Sequence, residues 1–190
     1  MRIVHVKCPK CKNLFFSKKT DMAFICENCG ALHIREDEIK IFDYEFWRFS
    51  KNMEGEKYYM PFWKMDISID IRESKVVGIM KIANLFKDKS GRTSIYIPGI
   101  DLPPEEFRHW SNLLTFNPPN FEIEKSTKIE RIPLAIGEKE AEKLADFLIL
   151  TYEAEKPGVL QYIDYEMKIN ERKIVYVPVY LSNNKYVIGV

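Results

Sequence analysis

The chain has 190 residues, a formal net charge of +1, 46% hydrophobic and 13% aromatic side chains. That much apolar material supports a substantial core and excludes a disordered polymer. No apolar run approaches the ~20 residues of a spanning helix, and the opening MRIVHVKCPK holds no apolar stretch of signal-peptide length. A cytoplasmic protein with no membrane partner is the expectation. Glutamine occurs once, at Gln161, beside abundant Lys, Glu and Ile, a bias that fits a heat-loving source.

Charge is unevenly spread. Residues 1–35 carry seven basic side chains against two acidic ones, while residues 36–190 carry 22 basic against 26 acidic. A basic head on a mildly acidic body permits contact with nucleic acid or an acidic protein surface and demands neither.

All four cysteines lie in the head: Cys8 and Cys11, then Cys26 and Cys29, with fourteen residues between the pairs. Two C-x-x-C pairs at this separation read as a structural metal site. Two residues between cysteines let a tight knuckle aim both sulfurs at one point, and two knuckles complete a tetrahedron of thiolates. Four protein ligands leave no open position, so the expected ion is one structural Zn2+; iron in the same site stays open. Disulfides within each pair would not tie the segment together, and a redox C-x-x-C needs only one pair. Residues 13–17 and 22–25 are expected to run out and back as a hairpin turning at 18–21. Gly30 supplies backbone freedom after Cys29, and Asn13 tolerates left-handed geometry near Cys11. His5 and His33 are read as surface or strand residues.

Cys8-x-x-Cys11 with Cys26-x-x-Cys29 resembles the zinc-ribbon family of the rubredoxin-like kind, over about residues 1–36. The resemblance implies a small three-stranded β unit around one zinc. The glycine usual after the second cysteine of a knuckle is present as Gly30 and replaced by Lys12 in the first. A head this small buries too little surface to fold without its metal.

The module boundary is placed near Glu36, giving residues 1–36 as the ribbon and 37–190 as an α+β domain. Residues 41–50, IFDYEFWRFS, are ambiguous between strand and helix. Residues 58–71 are the clearest strand: Trp63, Met65, Ile67, Ile69 and Ile71 alternate with Lys64, Asp66, Ser68 and Asp70, the period of a sheet with one buried face. Residues 76–86 continue the sheet or form a helix, and 93–97 form another strand. A helix starts at Pro103-Pro104 with Glu105 and Glu106 near its positive end, placing Phe107, Trp110, Leu113 and Leu114 on one side. A second helix over 137–158 puts Ala141, Leu144, Ala145, Leu148, Ile149 and Tyr152 at helical spacing and stops at Pro157-Gly158. The tail reads as a meander: strand 159–169, turn at 170–172, strand 173–181, turn at 182–184, strand 185–190. The fold class is therefore α+β, a zinc ribbon followed by a mostly antiparallel sheet with two helices.

Tyr59-Met60-Pro61, Tyr96-Ile97-Pro98 and Tyr176-Val177-Pro178 share one pattern. Proline in a strand signals an edge or a bulge; the alternative is an old duplication whose aromatics line a shared groove. The ribbon followed by YYMPFW resembles uncharacterised bacterial zinc-ribbon proteins, a likeness that brings no activity.

No catalytic residue is named. His109 stands alone on its helix, no G-x-S-x-G, H-E-x-x-H or P-loop pattern occurs, and Asp66 and Asp70 have no partner constellation. The expected function is a zinc-binding, non-catalytic interaction protein, with the ribbon as recognition head, the body as docking domain and an unidentified protein as partner. The alternative is nucleic-acid binding through Lys10, Lys12, Lys18 and Lys19, with Phe15, Phe16 or Phe24 stacking on bases. An enzyme carrying a structural ribbon predicts a deep polar pocket in the body.

Overall fold

The structure, a computed structural model, describes residues 3–18, 21–77, 90–124, 129–154 and 159–190. Lys19, most of the segment 76–86 and the Pro157-Gly158 stop lie outside them, and the side chains of Phe15, Phe16 and Lys18 are likewise not described.

The head is built from two hairpins. Strand β1 (Ile3–Lys7) pairs antiparallel with β2 (Leu14–Lys18), and β3 (Ala23–Ile25) pairs antiparallel with β4 (Leu32–Arg35). This corrects the hairpin expected between residues 13–17 and 22–25. Both segments are strands, but each pairs across its own C-x-x-C rather than with the other. The knuckle, not residues 18–21, is the turn. It also replaces the three-stranded unit with four strands in two sheets.

The chain does not leave this sheet at residue 36. Strand β5 (Ile39–Trp47) pairs antiparallel with β4 and then parallel with β9 (Val159–Ser182). β9 pairs along its length with β6 (Glu56–Val77), and β6 with β7 (Ser90–Pro98), both antiparallel. The order is β3-β4-β5-β9-β6-β7, with the short β8 (Ile123–Glu124) on β5 and β10 (Lys185–Ile188) on β9. The body is thus α+β with a mostly antiparallel sheet and two helices. Residues 41–47 are strand, as β-rich aromatic composition favours. The turn expected at 170–172 is absent: β9 runs through it as one 24-residue strand, bent by a register shift opposite Asp66/Ile67. A bulge absorbs the polar triplet Asn170-Glu171-Arg172 without ending the ladder. The turn before β10 is present, with Asn183 and Asn184 at φ 50° and 59°, the positive values a two-residue hairpin needs.

Helix α1 (Pro104–Phe116) and helix α2 (Glu138–Ala154) cover the sheet. Strand alternation sorts the side chains between two clusters. Trp63, Met65, Ile67 and Ile69 meet Ala141, Ala145, Leu148 and Ile149 of α2 on one face. Met60, Phe62, Val175, Val177 and Val179 meet Trp110 and Leu114 of α1 on the other. Further along β6 the second face turns polar: Asp66 and Ser68 are half-buried and Asp70 is exposed, on the side the alternation predicts.

The tyrosine–proline recurrences meet in space. β6 and β9 run antiparallel with Tyr59 opposite Pro178, Met60 opposite Val177 and Pro61 opposite Tyr176. On its outer side each proline carbonyl accepts the N–H of a glycine: Gly99 to Pro61 at 2.8 Å, Gly189 to Pro178 at 2.8 Å. Pro61 and Pro178 lie in interior strands, which corrects the edge expectation for these two, while Pro98 ends β7, the last strand of the order. Pro61 and Pro178 each sit where the strand changes outer neighbour. β6 passes from residues 130–132 to β7, and β9 from β5 to β10. A missing N–H is harmless at such a gap. Tyr59 and Tyr176 are fully buried and pack with Phe46, so they line no open groove.

Candidate metal centre

The two knuckles have the same backbone. In the first, Lys12 N–H donates to the Cys8 carbonyl (2.8 Å) and Cys8 N–H to the Asn13 carbonyl (2.9 Å). In the second, Gly30 N–H donates to the Cys26 carbonyl (2.7 Å) and Cys26 N–H to the Ala31 carbonyl (2.9 Å). Each closes with a left-handed residue after its second cysteine, Lys12 at φ 62° and Gly30 at φ 68°. The left-handed position of the first knuckle is therefore Lys12, not Asn13. A Cβ there is tolerable because the equivalent space at Gly30 is open, with nothing within 4 Å.

These turns bring all four Sγ atoms within 4.8 Å of one another. Cys8 and Cys29 sulfurs are 3.7 Å apart, and Cys11 and Cys26 sulfurs 3.6 Å. A tetrahedron with metal–sulfur distances of ~2.3 Å has edges of about 3.8 Å, so the donor set fits one tetrahedral, thiophilic ion. A disulfide needs sulfurs ~2.05 Å apart, and all four thiols are free. Cys8 and Cys26 are buried, Cys11 and Cys29 half-buried. The Asn28 side chain and the backbone of Asn13 pull the Cys11 thiol down to about 6. At Cys29 the Ala31 backbone also pulls downward, but burial and the other three sulfurs outweigh it and the thiol rises to about 11. Four sulfurs this close do not ionise independently; a cation at their centre removes the conflict.

His33 lies in strand β4, as the strand reading has it, and is fully buried, which corrects the surface reading. Its Nε2 lies 3.2 Å from Cys8 Sγ, and its ring packs on Phe24 with centroids 5.2 Å apart. Burial, and secondarily the charge of Lys10, hold its pKa below the ordinary histidine value. Phe24 is 5% exposed, so it is not offered to a base. Leu32-His33-Ile34 alternates apolar and polar as a half-exposed strand does, so no local pattern marks His33 as buried.

The second knuckle is also tied to the body. Tyr44 of β5 donates its hydroxyl to the Gly30 carbonyl at 2.9 Å. Asp21 Oδ1 accepts from the N–H groups of Ala23 and Leu134, both at 3.0 Å, and Met22 N–H donates to the Leu134 carbonyl at 3.0 Å. Of the lysines named for nucleic acid, Lys10 and Lys12 are exposed beside the first knuckle, and Lys18 and Lys19 fall outside what is described of side chains.

In the body, His109 is exposed next to Trp110, and Asp66 is held by Ser94 and Lys64. A cleft of about 510 Å³ between α1 and α2 is lined by Phe107, Leu144, Phe147 and Leu148 together with Asp101, Arg108 and Glu140. Thr151 also lines it, and its hydroxyl donates to the Phe147 carbonyl at 2.9 Å. Among the described residues no helix is long and apolar enough to cross a membrane. No protein-family model, curated protein or solved structure matches the chain.

Proposed function

We propose that the chain is a zinc-binding, non-catalytic interaction protein whose residues 1–36 form a zinc ribbon that presents a rigid head, and whose residues 37–190 form the α+β domain that carries it. The observation that carries this reading is the convergence of four sulfurs, two from each of two matching knuckles, at tetrahedral spacing. A four-thiolate site has no position left for substrate or water, so its ion works by fixing shape. Zinc suits it because a d¹⁰ ion imposes no geometry of its own and favours thiolate. Around the knuckles Lys10, Lys12, Asn13 and Asn28 face water, and Leu14 is 65% exposed.

The test has two stages. Elemental analysis of the purified protein should give one zinc per chain and no iron absorption. A photo-crosslinker at Leu14 in the source cells should then capture a partner whose purified form binds the zinc-loaded protein and not the stripped one. Substrate turnover in a hydrolase and transferase screen, abolished by a mutation in the body, would sink the non-catalytic reading.

A second reading rests on the exposure of Lys7, Lys10 and Lys12 along one hairpin. With Lys18 and Lys19 they would meet phosphates, and the affinity would fall steeply with salt. Failure to bind single- or double-stranded DNA or RNA at low salt removes this option.

A further inference from the structure

We propose that His33 is a working part of the metal centre: its Nε2–H donates a hydrogen bond to the Cys8 thiolate, and this bond sets how tightly the site holds its ion and how slowly Cys8 reacts. The proposal rests on the zinc reading above and adds a fifth side chain to it.

The argument begins with the acceptor. A thiolate bound to a metal carries no proton and can only accept. A ring nitrogen 3.2 Å from it is a hydrogen-bond donor or a repulsive lone pair, and only the donor is compatible with that approach. The placement of the ring fixes the choice further. His33 is flanked on β4 by Leu32 and Ile34, stands opposite Phe24 on β3 and Ile41 on β5, and has no exposed surface. A polar ring is buried there at a desolvation cost unless it is hydrogen-bonded. The sulfur is the partner that meets Nε2.

The consequence follows from charge. Four thiolates on a divalent ion leave two net negative charges, with Cys8 and Cys26 fully buried. Donors to sulfur spread that charge and lower the nucleophilicity of the atom that receives them. Cys8 already accepts from the backbone N–H of Cys11 at 3.3 Å. With His33 it has two donors, one of them a side chain that mutation can remove. Partners of ligands, in metal sites generally, change affinity by about 10–100-fold when lost.

The experiment compares zinc-loaded wild type with His33→Phe and His33→Gln. Phenylalanine keeps a ring against Phe24 and removes the donor; glutamine places an N–H donor at similar reach. Zinc affinity is read by competition with a chromogenic chelator, and thiol reactivity by zinc release under N-ethylmaleimide. His33→Phe should bind zinc at least about ten-fold more weakly and release it faster, with Cys8 newly modified early. His33→Gln should recover most of both. A hydrogen-bonded imidazole proton that shows scalar coupling to 113Cd in wild type tests the same bond without mutation, and stands if His33→Phe does not fold. Equal affinity and release in His33→Phe, or no coupling to 113Cd in a loaded wild type, overturns the role of His33 alone. Wild type that binds neither zinc nor cadmium overturns the metal centre itself.

Discussion

Glu36 offers the sharpest perturbation of the joint between head and body. Gly137 is the N-cap of α2, since its carbonyl accepts the Ala141 N–H at 2.9 Å. Glycine has no side chain to satisfy the free N–H groups of the first turn. The carboxylate of Glu36, from the end of the head, accepts the N–H of Glu138 instead. A Cβ at Gly137 would overlap that same Glu36 Oε1, so the glycine and the distant cap form a pair. Losing a cap costs about 1 kcal/mol, with a range of roughly 0.5–2. Losing a negative charge at the positive end of a helix adds about 0.3–1 kcal/mol. The neighbouring Asp37–Lys139 pair is exposed on both sides and adds almost nothing.

Glu36→Ala should therefore destabilise by about 1–3 kcal/mol and lower Tm by roughly 3–9 °C for a chain of this length. Glu36→Gln keeps an acceptor and should lose less than half as much. Urea unfolding of the zinc-loaded protein, followed by far-ultraviolet circular dichroism, measures both. The decisive comparison is Gly137→Ser. In the wild type its side chain meets the Glu36 carboxylate and should destabilise; in Glu36→Ala it supplies its own cap and should restore about 1 kcal/mol. That change of sign is a coupling no independent pair of sites would show. Glu36→Ala within about 0.3 kcal/mol of wild type, or Gly137→Ser equally harmful in both backgrounds, would refute the cap.

Cys26→Ser should abolish stoichiometric zinc binding by elemental analysis, and a strong chelator should collapse the amide dispersion of residues 8–35 in a heteronuclear spectrum while the β6–β9 ladder persists. Gly30→Ala should cost about 1–2 kcal/mol from its left-handed φ alone, because its Cβ meets nothing; Lys12→Gly, at the matching position, should be neutral or stabilising in the same denaturant assay. Burial raises the phenols of Tyr96 and Tyr176 to about 12 from an ordinary value of about 10. Their neutral forms favour the folded state, so the contribution is complete below about pH 10 and is lost as pH climbs towards about 12. Stability followed against pH, with phenolate absorbance, should fall in that window, and titration of both phenols near pH 10 in the folded protein would contradict the burial argument.

Local chemistry explains what could be read in advance. The four cysteines were legible because their spacing encodes the knuckle, and the alternation from Trp63 to Ile69 because one side of β6 lies under α2. Helix α2 was legible from Ala141, Ala145, Leu148 and Tyr152, which share one face at a period of 3.6. Pairing partners were not legible, because two short strands either side of a knuckle are equally free to pair with each other or with their outer neighbours. The head resolved that choice through β5, whose register with β4 (Ile41 opposite His33) is reached only if β4 lies between β3 and β5. Glu36 and His33 were hidden for a related reason. Each acts on an atom distant in sequence, Glu36 across 102 residues and His33 across 25, and no local pattern marks either.

The tyrosine–proline recurrences at residues 59–61 and 176–178 share one structural setting. Phe62 stands opposite Pro98, with Gly99 bonding the Pro61 carbonyl beyond it; Val179 stands opposite Ile188, with Gly189 bonding the Pro178 carbonyl beyond it. The β6–β7 and β9–β10 hairpins therefore have one register, and they face each other antiparallel through Tyr59–Pro178 and Pro61–Tyr176. An antiparallel pair of like segments has a local two-fold axis. Any residue favourable at one of its positions is favourable at the other, so the same Tyr-x-Pro solves the same gap in the ladder twice. Tyr96-Ile97-Pro98 has a different place, at the end of β7 opposite Lys64, Trp63 and Phe62. Its likeness to the other two in sequence has no counterpart in position, so the repeat that matters has two members, and its axis passes between Met60 and Val177.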